Sequence, residues 1–305
     1  MPHSSSREPG DSPTNPQSAS RSPSFSITDV HIHVQPFDQL KPAALDVMRK
    51  GAGDRLEFLL ALMDDPHLLL GVMDEDGIDR VGMVNYPSPD VMGFSEATND
   101  FAARYAEADR RRLLHYGGVD PLTTLNATRS VEHLLEIGTR VLKIHPCHMR
   151  VAANAYTDGL SALSDIYRLC EERGLPVMIH TGTSIFPGAR SKYGNPMEID
   201  DVAIDFPDLR IIMAHGGRPL YTKEAFFILR RHANVWLDLS GIPPKRLPEY
   251  FPRLSELSRK VLWGTDWPSP GVDRMRSNVD QFLALGMGES LERAVLETNP
   301  RSILP

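Results

Sequence analysis

Ile27-Thr28-Asp29-Val30-His31-Ile32-His33 reads as a β-strand that ends in two imidazoles. Side chains alternate faces along a strand, so His31 and His33 point the same way. Two imidazoles side by side can grip one transition-metal ion, for which imidazole is a preferred ligand. Alone, such a pair fits an exposed strand with one polar face equally well. Its meaning depends on how the later strands end.

Beyond residue 26, short β-branched or apolar runs recur at 27–33, 79–85, 114–119, 140–145, 176–180, 210–215, 234–239 and 261–265. Helical periodicity fills the gaps near 96–108, 125–137, 160–173, 223–232 and 272–285. Breakers at Gly77, Gly138, Gly174, Pro176 and Pro207 punctuate the alternation. Eight strands alternating with helices predict a parallel sheet, and eight is the number that closes a TIM (β/α)8 barrel. The competing doubly wound sheet usually carries a glycine-rich phosphate loop after an early strand, and none follows the first strand here. The first two strands lie roughly 45 residues apart, with helical patterns near 40–49, 54–63 and 65–76. The last of these is expected to be the barrel's first helix, and the first two form an insertion after the first strand, expected to sit over the catalytic face.

Later strands do end alike. The fourth closes in Val141-Leu142-Lys143-Ile144-His145-Pro146, the fifth in Val177-Met178-Ile179-His180-Thr181-Gly182, the sixth in Ile212-Met213-Ala214-His215-Gly216-Gly217 and the eighth in Trp263-Gly264-Thr265-Asp266-Trp267-Pro268. Taken singly, a histidine here is a satisfied core residue, Asp266 a helix cap and Lys143 a rim charge. Together they meet at one face of a barrel, where active sites lie, and predict a shared metal site.

Composition narrows the setting. The formal net charge of −7 argues against bulk nucleic-acid binding. No apolar stretch approaches the ~20 residues of a membrane span. With two cysteines, Cys147 and Cys170, no disulfide framework is indicated and a cytoplasmic protein is expected. Residues 1–26 hold nine serines and five prolines and almost nothing to bury, which predicts a disordered tail ahead of a barrel over 27–305.

With these stretches in hand, the chain resembles the amidohydrolase superfamily. Within it, the likeness is to the amidohydrolase-related branch that includes aminocarboxymuconate-semialdehyde decarboxylase and lactone hydrolases. The markers are Asp29-Val30-His31-Ile32-His33, Pro176 to Gly182, Phe206-Pro207-Asp208-Leu209-Arg210 leading into Ala214-His215-Gly216-Gly217, Gly264-Thr265-Asp266-Trp267-Pro268, and Asn299. The resemblance implies that His31, His33, His180 and Asp266 coordinate one divalent metal ion. Zinc is the first expectation, with manganese, iron or cobalt as alternatives. It further implies that His215 stands beside the metal-bound water or a substrate oxygen; the chemistry of such a site makes Asp266 the candidate general base. Some superfamily members carbamylate the fourth-strand lysine to bridge a second metal; one metal is the expectation here.

With period two, Lys143 and His145 both point inward and are candidates for holding a substrate carboxylate. Arg190, in the loop 183–196 with Lys192 and Tyr193, and Arg218, just past the sixth strand, are further anion-binding candidates. Trp267 is either a stacking platform or barrel-rim packing. His148 and Arg150, just beyond the fourth strand, stay open. His115, His133 and His232 fall at a strand start or in helices, away from the chemistry. The expected activity is a metal-dependent hydrolase cleaving a C–O or C–N bond of a small, carboxylated cyclic or aromatic compound. The alternative is a metal-dependent non-oxidative decarboxylase of a muconate- or hydroxybenzoate-like acid. Many aromatic decarboxylases of the branch carry Glu-x-His in the first strand, so His31 tilts the reading toward the hydrolases and the muconate-type decarboxylase and away from that subgroup. The expected partner is a small anionic substrate, with neither nucleic acid nor membrane; relatives often form homodimers.

Overall fold

A computed structural model describes residues 25–304. The expected tail therefore lies outside the described residues up to position 24. Its last two residues are packed: Phe25 lies under the Arg293 guanidinium, 4.7 Å from ring centroid to cation, and Ser26 accepts a hydrogen bond from Arg301.

The chain runs β1 (Thr28–Ile32), α1 (Pro42–Ala52), α2 (Leu56–Asp64), α3 (Pro66–Asp76), β2 (Arg80–Met83), α4 (Ala97–Tyr105), β3 (Leu113–His115), β4 (Gly117–Gly118) and α5 (Ala127–Glu136). It continues through β5 (Leu142–Ile144), α6 (Pro146–Met149), α7 (Ser161–Arg173), β6 (Val177–His180), α8 (Glu198–Asp205), β7 (Ile211–Ala214), α9 (Thr222–Arg231) and β8 (Val235–Asp238). α10 (Leu247–Tyr250), β9 (Val261–Leu262), α11 (Met275–Leu283), α12 (Glu289–Arg293) and α13 (Asn299–Ile303) complete it.

Every strand pair is parallel, in the orders β1-β2-β3 and β4-β5-β6-β7-β8-β9. β3 and β4 are two pieces of one strand. Tyr116 between them donates its N–H back to Met83 while Gly117 donates forward to Val141. The ring closes where Val30 N–H meets the Trp263 carbonyl at 2.8 Å and His33 N–H meets that of Trp267 at 2.7 Å. Eight strands thus form a closed barrel, the predicted (β/α)8 architecture. Strands such as Val177-Met178-Ile179 and Ile211-Ile212-Met213 are buried on both faces, as continuous apolar runs in a parallel barrel require.

Local chemistry sets the helix ends. α3 starts at Asp65, whose carboxylate accepts the His67 N–H, with Pro66 at the first helical position, and stops at Gly77 in a left-handed conformation. α5 is capped by Asn126, which accepts the Arg129 N–H. α1 and α2 form the insertion after β1, and Met48 and Leu59 from them wall the cavity at the strands' carboxyl ends. α8 and the C-terminal α12–α13 escape the periodicity reading, because eight- and five-residue helices span too few turns to show it.

Candidate active site

At the carboxyl ends of the strands the side chains converge on a cavity of about 440 Å³. His31 and His33 from β1, Lys143 and His145 from β5, His180 from β6, His215 and Arg218 after β7 and Asp266 after β9 all line it. The Asp266 carboxylate is the hub. Its Oδ1 lies 3.0 Å from His33 Nε2 and 3.5 Å from His31 Nε2, and its Oδ2 accepts from Arg218 Nη2 at 3.3 Å. Ring centroids of His31 and His215 are 4.8 Å apart, as are those of His180 and His215. His215 and Asp266 both adopt positive φ, +68° and +66°, the left-handed region that non-glycine residues rarely occupy. Such backbone outliers persist only where the surroundings over-determine them.

The donor set fits a divalent cation. Ligand atoms of His31, His215 and Asp266 lie within 4.8 Å of one another. His31 Nε2, His180 Nε2 and Lys143 Nζ are buried without a hydrogen-bond partner among the described residues. An unpaired buried polar atom is costly, so two imidazole nitrogens left this way in one cavity signal a group that they would serve. Burial, reinforced by the Lys143 amine, lowers His31 to a pKa of about 4. Burial likewise holds His180 and His215 well below the ordinary histidine value. Neutral imidazoles keep the lone pairs that a metal needs. Burial pushes the Asp266 carboxyl up, but the His215, His33 and His31 rings facing it prevail and hold it well below the carboxylate range. Burial draws the Lys143 amine down to about 8, against the pull of Asp238 and Asp266.

Outer contacts orient the imidazoles. Asp238 Oδ2, at the end of β8, meets His31 Nδ1 at 2.6 Å and Ser240 Oγ at 2.7 Å. Ser240 Oγ in turn lies 3.0 Å from Nδ1 of both His31 and His215, and the Ser240 carbonyl is 2.9 Å from His215 Nδ1. With Nδ1 engaged, Nε2 of both rings is the free ligand atom. Asp29 performs a parallel task from below. It accepts Thr265 N–H at 3.0 Å, Thr265 Oγ1 at 2.6 Å and His31 N–H at 3.1 Å, tying β1 to the loop that carries Asp266.

Two candidates fall outside this group. Arg190 is exposed and does not line the cavity: its N–H bonds the Cys147 carbonyl, and the loop instead turns Thr183, Ser184 and Phe186 inward. Trp267 is buried at the rim with Nε1 3.4 Å from the Asp273 carbonyl, so it packs the barrel instead of facing the cavity. Conversely, His148 joins the site. It stacks on His145 at 3.6 Å, and His145 stacks on His180 at 3.8 Å. Its nitrogens reach Tyr86 Oη at 3.0 Å and Ser184 Oγ at 2.8 Å. Asp238, Ser240 and Tyr86 went unsingled in the sequence. Asp238-Leu239-Ser240 carried a usable signal, since its two polar residues share one face at the end of the seventh strand.

An amidohydrolase family model matches residues 28–305. The chain belongs to the amidohydrolase family. Among curated proteins, this amidohydrolase is 29% identical over 153 residues to 2-pyrone-4,6-dicarboxylate hydrolase of Comamonas testosteroni, covering 37% of the chain and 50% of that protein. The match thus spans about half the length of that relative. Among solved structures it is similar to a TIM-barrel protein of Bordetella bronchiseptica of TM-score 0.71 and 21% identity, covering 92% of this chain and 98% of that one. It is also similar to 5-carboxyvanillate decarboxylase of Sphingomonas paucimobilis, with TM-score 0.65, 19% identity and coverage of 92% and 99%. For 4-oxalomesaconate hydratase of Rhodopseudomonas palustris the values are 0.61, 17%, 92% and 95%. These likenesses support the barrel fold.

Proposed function

We propose that this amidohydrolase is a metal-dependent hydrolase that opens a C–O or C–N bond of a small cyclic or aromatic substrate bearing carboxylates. The observation that carries the reading is the Asp266 carboxylate, held ionised and touched by both His33 and Arg218 in a cavity where two imidazole nitrogens make no hydrogen bond to the described residues. His31, His33, His180 and Asp266 would hold one divalent ion, zinc in the first instance, with His215 close enough to join them or to contact the substrate oxygen. When bound, such an ion supplies Lewis acidity that polarises a substrate oxygen and acidifies water.

The chain's own groups do the rest. Asp266 takes the proton of the attacking water as general base and returns it to the leaving oxygen or nitrogen. Arg218, 3.3 Å from Asp266, fixes that carboxylate and leaves further guanidinium donors for a substrate carboxylate. Lys143 lines the same cavity with its Nζ unpaired among the described residues, and is the second group placed to hold an anion. Two cations in a cavity walled by Phe37, Met48, Leu59 and Phe186 suit a flat, doubly charged compound. A cyclic dicarboxylate lactone, the class named for the Comamonas relative, has that shape and charge.

Metal-replete protein is expected to open 2-pyrone-4,6-dicarboxylate, and Asp266→Asn is expected to lose at least ~100-fold in kcat. Full activity after chelation confirmed by metal analysis would sink the reading. Release of CO2 without ring opening would replace it with decarboxylation.

A further inference from the structure

The opposite end of the barrel holds a second concavity, of about 480 Å³, lined by Arg80, Arg110, Arg111, Arg140, Arg301 and Leu114. Arg80 opens β2, Arg110 and Arg111 sit in the turn before β3, Arg140 precedes β5, and Arg301 lies in α13. Five guanidiniums thus meet at the strands' amino ends in a chain of net charge −7. The carboxylates facing them are few. Glu107 lies 3.3 Å from Arg110, Asp109 3.8 Å from Arg111, and Glu297, shared with Arg293, 3.3 Å from Arg301. Three carboxylates against five guanidiniums leave two positive charges uncompensated among the described residues.

Arg80 and Arg140 are half-buried, and neither side chain makes a hydrogen bond or ion pair with the described residues. Burial first, and then the Arg301 and Arg140 cations, pull the Arg80 guanidinium below its ordinary value. His115, beside Arg110 and Arg140, is lowered to about 4, chiefly by burial, and stays neutral. An arginine that serves the fold alone looks different. Arg112, nearby, spends its donors on the Asp79 and Ile78 carbonyls at 3.1 Å each and on Asp74 at 2.7 Å.

We propose that this concavity binds inorganic phosphate as its dianion. The charge of two left over among the described residues matches a dianion. Guanidiniums arriving from β2, the β3 turn, the β5 approach and α13 surround a tetrahedral anion, whereas a carboxylate offers oxygens in one plane. The site lies at the end of the barrel remote from Asp266, so its occupancy is independent of the reaction proposed above.

Calorimetric titration of the full-length protein with inorganic phosphate at low salt is the test. Saturable one-to-one binding is expected, weakened about tenfold or more in Arg80→Gln and in Arg140→Gln, and retained in Arg218→Gln at the other cavity. Arg110→Gln, exposed and therefore safe for folding, should also weaken binding, and circular dichroism confirms that each variant is folded. Absence of saturable binding up to roughly 10 mM phosphate overturns the proposal. So does binding that survives Arg80→Gln and Arg140→Gln, or that is lost only in Arg218→Gln.

Discussion

Asp238 contacts no solvent, yet its carboxylate meets His31 and Ser240, and through Ser240 it reaches His215. Asp238→Asn keeps the shape but weakens the acceptor that fixes His31 Nδ1. Loss of such an outer contact typically costs ~10–100-fold in metal affinity, which competition with a chromophoric chelator reads directly. Gly264 guards the same bracket. A Cβ there would collide with Asp238 Oδ1 and lie 2.9 Å from both His31 Cβ and Ser240 Cβ. Gly264→Ala should therefore cost about 1–3 kcal/mol in urea unfolding and lower metal content together, because the same atoms would have to shift. Gly241 is constrained in another way: it has φ +65°, and a Cβ would come 2.8 Å from Arg218 Cζ, so the guanidinium beside Asp266 rests against bare backbone.

Among the elements, α8 links the site loops to the barrel wall. Glu198 in its first turn accepts the Ala153 N–H at 2.9 Å, joining it to the segment after α6. Burial, opposed by that hydrogen bond, raises the Glu198 carboxyl to about 7. The unfolded chain titrates at the ordinary glutamate value of about 4.5. Between those values the folded state binds more protons, so the contribution of Glu198 to stability is full at acid pH and is lost as pH rises through 7. Glu198→Gln keeps the acceptor and removes the titration. The difference in Tm, wild type minus variant, should fall as pH is raised from 5 to 8; a difference that is flat or rises contradicts the assignment.

At the level of the whole molecule, barrel closure and the site are one construction. The bonds that close the ring, Val30 to Trp263 and His33 to Trp267, belong to the two segments that carry His31, His33 and Asp266. An ion held between them would staple the seam and add about 4 kcal/mol of stability at a thousandfold excess over Kd, so chelation is expected to lower Tm as well as activity. Unchanged Tm after verified metal removal would contradict this. The C-terminal helices support the same seam. Asn299 Nδ2 donates to the carbonyls of Ser258 and Val261 at 2.6 and 2.7 Å. Asn299→Ala leaves both acceptors unpaired next to β9 and should destabilise by about 2 kcal/mol, measured by urea unfolding with an unchanged m-value.

The eight strands and their polar ends were legible in the chain because both are local: alternation with period two tells which residues share a face, and a barrel brings all strand ends to one rim. His31, His33, Lys143, His145, His180, His215 and Asp266 therefore reach the cavity as their positions foretold. Loop and rim residues did not follow from spacing. Arg190 turned outward, Trp267 took the packing one of its two readings, and His148, left open, stacked into the site, since each depends on how a turn settles against distant walls. The arginine cluster is the extreme case. Arg80, Arg110, Arg111, Arg140 and Arg301 belong to no common pattern in the sequence, and only closure of the ring gathers the amino ends of their elements into one charged hollow.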